Sequence, residues 1–221
     1  MKFEIRAEEP RDVPGIREAN RGAFGREVEV RLADDLRDGG CATLSLVAQR
    51  EGRLIGHIMF REAVIRTETG EVGALALGPV GVVPEHQGRD VGSALIREGL
   101  DRCAQAGQRI VVLFGHPGYY PRFGFSAERA GDLSSAYSGE AFMALELVPD
   151  ALSGVAGEFE FAPPFEAVSC PGSSARRRPP PASPTRTSLT PSATSRSHGL
   201  PELSRPRPAW CYPSRTGPSC S

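Results

Sequence analysis

The sequence predicts an α/β domain, one mixed and twisted sheet with helices on both sides, followed by a tail without a core. Three observations lead there. An apolar strand at 75–83, a glycine-bearing turn, an amphipathic helix and a second apolar strand at 110–114 follow in order, as in two parallel strands joined by a helix. Upstream, β-rich runs at 44–49 and 54–65 flank Glu51 and Gly52, a hairpin signal. Composition then changes near Ala167.

Each element has a local reason. Residues 2–6 form a short strand with Phe3 and Ile5 on one face. Asp12 is placed to cap a helix in which Val13, Ile16, Ala19 and Ala23 recur at helical spacing, with Pro14 in the first turn. A second helix over 27–37 stops at Gly39 and Gly40. Continuous apolarity over 75–83 implies a strand buried on both faces. The helix over 91–106 sets Val91, Leu95 and Gly99 in one stripe beside Ile96, Leu100 and Cys103, with Arg97, Glu98, Asp101 and Arg102 toward water. A short helix at 119–123 precedes Gly124, a strand covers 142–147, and 157–165 closes an edge. The segments 66–73 and 127–141 read as variable loops.

Charge divides the chain. Residues 1–165 carry 18 basic and 25 acidic side chains, a net −7, whereas 166–221 carry eight Arg against Glu166 and Glu202, a net +6. The second part holds eleven prolines and few apolar residues, too little to offset the entropy of ordering, so residues 168–221 are expected to be disordered. Their Pro/Arg/Ser mix is what GC-rich DNA yields in a wrong frame, and they read as the product of a frameshift or altered stop. A basic arm for nucleic acid is the weaker rival: the one Arg cluster, at 176–178, has no interleaved aromatics. Cys41 and Cys103 lie in the domain and Cys170, Cys211 and Cys220 in the tail, without zinc-type spacing. No leading apolar run or membrane-length segment is present, so a cytoplasmic, reduced protein without a bound metal is expected.

The turn at 87–92 joins a strand end to a helix start, where unpaired N–H groups and the helix dipole form an anion site. Two phosphate loops are excluded. A Walker loop needs a lysine, and Lys2 is the only one in the chain. A dinucleotide loop needs GxGxxG and an acidic residue after the next strand. Here the run is Gln-Gly-Arg-Asp-Val-Gly, and 110–114 is followed by Gly115 and His116.

What remains is a Q/R-x-x-G/A-type loop. ALGPVGVVPEHQGR and the following VVLFGHPGYYPRFGF resemble the acyl-CoA loop region of the GNAT superfamily of N-acetyltransferases. SLVAQREGRLIGHIMF and FMALELVP are also similar to a small bacterial branch of that family, so the resemblance spans roughly residues 1–165. It implies a GNAT-like acyl-CoA N-acyltransferase fold that moves an acetyl group from acetyl-CoA, the co-substrate, to a primary amine of a small molecule or protein. The strands 75–83 and 110–114 would splay, and the pantetheine arm would pair with main chain near Val80, Val82 and Val83, with Pro79 at a bulge. Gln87 would start the turn, backbone amides of Gly88, Arg89, Asp90, Val91 and Gly92 would meet the pyrophosphate, with Ser93 beside them and Arg89 as charge partner. Tyr120 would be the general acid and Tyr119 a packing or lining neighbour.

Asp90 departs from the pattern, which has glycine there. An aspartate pays to reach positive φ and is a good N-cap, a pose that would fill the anion site and weaken acetyl-CoA binding. The general base stays open between Glu27 and Glu29, near the first helices where acceptors enter in this superfamily, and Glu85 and His86 beside the loop. His57 and His116 reach the site at best by topology, and Arg122 is a candidate for the adenosine phosphate. The acidic domain slightly favours a cationic acceptor. The competing reading is an acyl-CoA-binding or catalytically impaired GNAT-like sensor or interaction module. No membrane partner is expected, and a homodimer is left open.

Overall fold

The computed structural model describes residues 1–135 and 139–161. The tail, the domain boundary near 167 and the far end of the strand expected over 157–165 lie outside the described residues. β1 (Glu4–Ala7) leads through a short 3-10 turn (Pro10–Asp12) into α1 (Val13–Phe24) and α2 (Glu27–Asp38), then β2 (Ala42–Arg50), β3 (Arg53–Thr67) and β4 (Gly70–Val82). α3 (Val91–Gln105) connects β4 to β5 (Ile110–Phe114). A 3-10 turn (Tyr120–Phe123), β6 (Leu133–Ser134), β7 (Phe142–Glu146) and β8 (Gly157–Phe161) complete the fold.

The sheet runs β1-β2-β3-β4-β5-β7, antiparallel along this path except where β4 meets β5, with β8 antiparallel to β3 and β6 parallel to β8 off it. The β2–β3 turn is the expected Glu51–Gly52 pair, with φ of 49° and 79°, the left-handed twist that two-residue hairpins need. The segment 66–73, expected as a loop, is mostly strand. Arg66 pairs with Glu71 and Thr67 with Gly70, and the Thr67 hydroxyl donates to the Gly70 carbonyl at 2.8 Å. The polar composition there belongs to a solvated hairpin tip. β3 is long enough for two neighbours on one edge: β2 pairs with it as far as Arg61, and β8 takes over from Ala63 to Arg66.

Alternation along the strands sorts the core. Ile58 and Phe60 turn to α3, against Leu95, Ile96 and Leu100, while Met59 between them turns to Ala33 and Leu36 of α2. The α3 stripes expected from spacing are buried on the first of these faces. α1 shares the α2 side: Asn20 lies against Gly81, whose strand partner is His57. Asp12 does not cap α1 with its side chain. Its carboxylate accepts bonds from Arg6 Nη1 at 2.6 Å and Nη2 at 2.9 Å, and from the Glu9 amide at 2.8 Å. A guanidinium delivered by β1 outcompetes the helix amides, because a charge-assisted bidentate pair is the stronger bond.

Gly99 is the closest approach of α3 to the sheet, since a Cβ built there would overlap the Phe60 ring. Gly99→Ala should therefore lower stability by about 1–3 kcal/mol through overpacking, despite alanine's better helix propensity. Urea unfolding checks this, and an unchanged or raised midpoint contradicts it.

Candidate functional site

β4 and β5 pair at only two positions, Leu75 with Val111 and Ala76 with Val112. Beyond them β4 stays with β3 and β5 with β7, so the two strands part. A bulge helps to turn β4 away. Ile58 faces Val80 and Phe60 faces Leu77, which leaves Gly78 and Pro79 together opposite Met59. Pro79, joined to Gly78 by a cis peptide, sits where a residue without a donor fits, as expected.

Among the described residues the parted edge has main-chain groups that no neighbouring strand takes. Val83 donates its N–H to the Ile55 carbonyl at 3.1 Å and so faces β3. By the antiparallel alternation Gly81 faces β3 as well, and Val80 and Val82 face the gap. The Val83 amide, expected in the cofactor site, is thus spent inside the sheet. Gln87 fastens the turn, its Nε2 donating to the Val82 carbonyl at 3.0 Å. The first backbone bond of α3 is Ala94 N–H to Asp90 O at 2.9 Å, and the amides of residues 88–93 have no acceptor among the described residues. They are the unclaimed donors of a helix N-terminus.

A cleft of about 720 Å³ fills this wedge. Val80 and Val82 line one side, the turn and helix start (Gln87, Gly88, Asp90, Val91, Gly92, Ser93) the next, and Tyr119 and Tyr120 the far wall. Arg89 is exposed and is not part of this lining. Tyr120 is buried, its ring against Gly115, where any Cβ would overlap it, and edge-on to Tyr119 at 5.2 Å and Phe125 at 6.0 Å. The Tyr119 hydroxyl lies 3.3 Å from Ser93 Oγ, and Arg122, also in the lining, stacks on the Tyr119 ring at 4.6 Å. His116 lines the cleft too, its Nδ1 accepting the Gly118 amide at 3.1 Å, and His86 sits at the mouth.

Asp90 takes positive φ, 67°, as a residue in the glycine position must, but it does not cap the helix through its side chain. Its carboxylate is 68% exposed and points to Arg97 Nη1 at 3.6 Å. The expected blockage of the anion site is therefore not the pose adopted. In αL geometry the side chain swings away from the amides, toward a cation and water.

A second cavity, about 20 Å³, adjoins the cleft and shares Val80 and Tyr120 with it. Phe24, Leu77, Pro79 and Phe114 wall it, and Glu29 reaches it from the first turn of α2. The Glu29 side chain is only 1% exposed, with Arg26 Nη2 at 2.8 Å from Oε1. Glu27 is two positions before it and faces elsewhere: 58% exposed, it accepts a 2.7 Å bond from Arg21, which holds its carboxyl below the usual range. Glu85 is exposed and lines a different groove. Phe24 and Phe114 were not singled out in the sequence. Only the position of Phe24 before the helix-ending Gly25 hints at it.

His57 is on the α1 side of the sheet, away from the cleft. Its Nε2 lies 3.0 Å from Ser45 Oγ and its Nδ1 3.5 Å from Asn20 Nδ2. Ser45 in turn donates to Glu8, which also receives Arg37 Nε at 2.5 Å. Burial, with Arg37 adding to it, pushes the imidazole down to about 3.

A sheet parted beside a glycine-turn helix start, with a buried tyrosine and a buried carboxylate at the junction, defines an acyltransferase class of fold. The chain belongs to the GNAT acetyltransferase family, whose acetyltransferase (GNAT) domain matches residues 4–127. It is 36% identical over 160 residues to the N-acetyltransferase YhbS of Escherichia coli K12, covering 71% of this chain and 95% of that protein. The crystal structure of YhbS in complex with CoA superposes with a TM-score of 0.69 at 34% identity, covering 73% of this chain and 91% of that one. A GNAT family acetyltransferase from Brucella melitensis, in complex with acetyl-CoA, gives 0.62 at 36% identity, over 75% of this chain and 99% of that one. No helix among the described residues is long and apolar enough to cross a membrane.

The His57 environment has a consequence for stability. The unfolded chain binds a proton at His57 near pH 6.5 and the folded chain only near 3. Its contribution is complete above pH 6.5 and is lost as pH falls toward 3, with a slope of up to about 1.4 kcal/mol per pH unit. Denaturant unfolding at pH 7.5 and 5.5 should show a loss of about 1.4 kcal/mol that His57→Gln removes. Equal losses in both proteins would contradict it.

Proposed function

We propose that the chain is an acetyl-CoA-dependent N-acetyltransferase in which the wedge between β4 and β5 holds the co-substrate and Glu29 and Tyr120 handle the protons. The observation that supports it most is the wedge itself, a strand edge and a helix start with unspent amides on one continuous cleft. These groups fit the molecule by type. Val80 and Val82 present main chain to the amides of a pantetheine arm, as an added strand would meet them. The amides of residues 88–93 suit a pyrophosphate at the positive end of α3, and Arg122 suits the nucleotide end. The Arg89 side chain is not used as a charge partner, because it is outside the lining, and the Val83 N–H is not used, because it is bonded within the sheet.

Acetyl-CoA supplies the acetyl group as a thioester. The Val80 N–H is assigned to its carbonyl oxygen, a donor that strengthens as charge develops there. Glu29 takes a proton from the acceptor ammonium, directly or through one water, and so frees the lone pair that forms the new C–N bond. Tyr120 gives its phenolic proton to the sulfur as the C–S bond breaks, since a phenol is protonated at neutral pH and donates well. The second proton that the nitrogen sheds on becoming an amide returns through water to the Tyr120 phenolate, while Glu29 releases its proton to solvent. Glu29 is preferred to Glu27 because it is buried at the cavity that shares Tyr120, whereas Glu27 is engaged on the surface.

Calorimetry with acetyl-CoA followed by thiol release across an amine panel tests this reading. Tyr120→Phe and Glu29→Gln should each lower kcat by ~10²-fold or more, with acetyl-CoA Kd changed less than about threefold. Unaltered turnover removes the residue from the mechanism. Asp90→Gly should tighten acetyl-CoA only a fewfold, on the order of 1 kcal/mol or less, because the carboxylate is solvated. A gain of a hundredfold would show that Asp90 does occupy the anion site.

A further inference from the structure

The acceptor end of this site is smaller and more selective than the cofactor end, and it already holds a cation. The cavity beside Tyr120 has room for one water-sized group. Apart from Glu29 and Tyr120 its described lining residues are apolar or glycine, with Phe24 from α1 and Phe114 from β5. A carboxylate 1% exposed among such walls is costly unless a cation answers it. Neither Glu29 oxygen receives an aligned hydrogen bond among the described residues, yet Arg26 Nη2 stands 2.8 Å from Oε1. The two halves of the pair differ sharply, because the Arg26 side chain is 52% exposed.

Arg26 occupies an unexpected place for an arginine. It is the N-cap of α2, in extended conformation, and its side chain does not cap the first amides. An N-cap usually supplies an acceptor to the first amides, and a positive charge at that end opposes the helix dipole. The ion pair with Glu29 is what this position gains in return. The cation is the solvent-side, replaceable half, and the carboxylate is the fixed half.

Resting on the acetyltransferase reading above, the geometry points to an acceptor that is a primary ammonium on an unbranched alkyl arm, with Arg26 as the resident counter-ion of Glu29 that this ammonium displaces. The –NH3⁺ head is about the size of a water molecule and matches the cavity, and a methylene arm suits its apolar walls. A branch at the α-carbon has no room beside Phe24 and Phe114. An α-carboxylate would bring a second anion toward Glu29, with no cation among the described lining residues to receive it. Arg26 is thus a positioning and specificity residue. It neutralises the buried carboxylate between turnovers and competes with the substrate for it.

Steady-state thiol release tests this with full-length protein. The panel is 1,5-diaminopentane and a peptide with a lysine side chain, against α-methylbenzylamine, aniline and free alanine. The unbranched amines should exceed the others at least tenfold in kcat/KM. Arg26→Gln should lower KM for the diamine several-fold while the acetyl-CoA Kd stays within about twofold, a split that a merely structural role would not produce. On the unmodified protein, butylguanidine, bearing the head group of Arg26, should inhibit competitively against the amine and not against acetyl-CoA, so the inference remains testable if the variant fails to fold. Preference for a branched, aromatic or anionic amine, a raised or unchanged KM in Arg26→Gln, or no competition by butylguanidine would overturn it. In those cases acetyl-CoA binding and turnover would leave the acetyltransferase reading standing. Absence of acetyl-CoA binding and of thiol release with every amine would overturn both.

Discussion

The site depends on main-chain hydrogen bonds that are not made. A strand inside a sheet normally spends the donors and acceptors of both edges, and burying unspent ones is costly. Here β4 gives one edge to β3 along its whole length and the other to β5 at just two residues. The bulge at Gly78 and Pro79 and the pairing of β5 with β7 draw the strands apart. The open edge then runs toward the unclaimed amides at the start of α3. Both are backbone features, so the cleft is a property of topology before it is a property of side chains.

Side chains become decisive at the other end. The face of the sheet under α1 and α2 is held by a polar chain from Arg37 through Glu8 and Ser45 to His57 and Asn20. It ties β1, β2, β3 and both helices together, and Asn20 rests against Gly81, one residue from Val80 and Val82. Buried polar groups of this kind specify one arrangement because a partly satisfied network is expensive. The consequence is local: α2 begins where Glu29 meets the cavity beside Tyr120. The scaffold on the α1 side therefore sets the distance between the carboxylate and the cleft between β4 and β5.

Much of this was legible in the sequence where one local pattern had no competitor. The stripes of α3, the Glu51–Gly52 turn and the glycine stop after α2 were of that sort. Readings failed where a distant residue outbid the local one. Asp12 was expected as a cap, and Arg6 took its carboxylate. Polar residues at 66–73 read as a loop because the pairing that continues β3 and β4 is invisible along the chain. Asp90 was expected to cap α3 because propensity says nothing about where an αL backbone aims its side chain. Glu27 and Glu29 could not be separated, since residues two apart on a helix point about 200° apart and only packing tells which is inside. Phe24 and Phe114 had no motif at all. The cavity that assembles them exists only once α1 and β5 are brought to the same corner.

The shared edge of β3 has a further consequence. β8 lies where β2 leaves off and covers Ala63–Arg66, with Phe159 buried beneath. Without this lid the upper third of the longest strand would present bare ladder groups flanked by Ile65, a template for docking a foreign strand. The final described strand thus acts as a guard against self-association. A truncation ahead of Gly157 would leave the wedge between β4 and β5 in place and yet bare that edge to strand pairing.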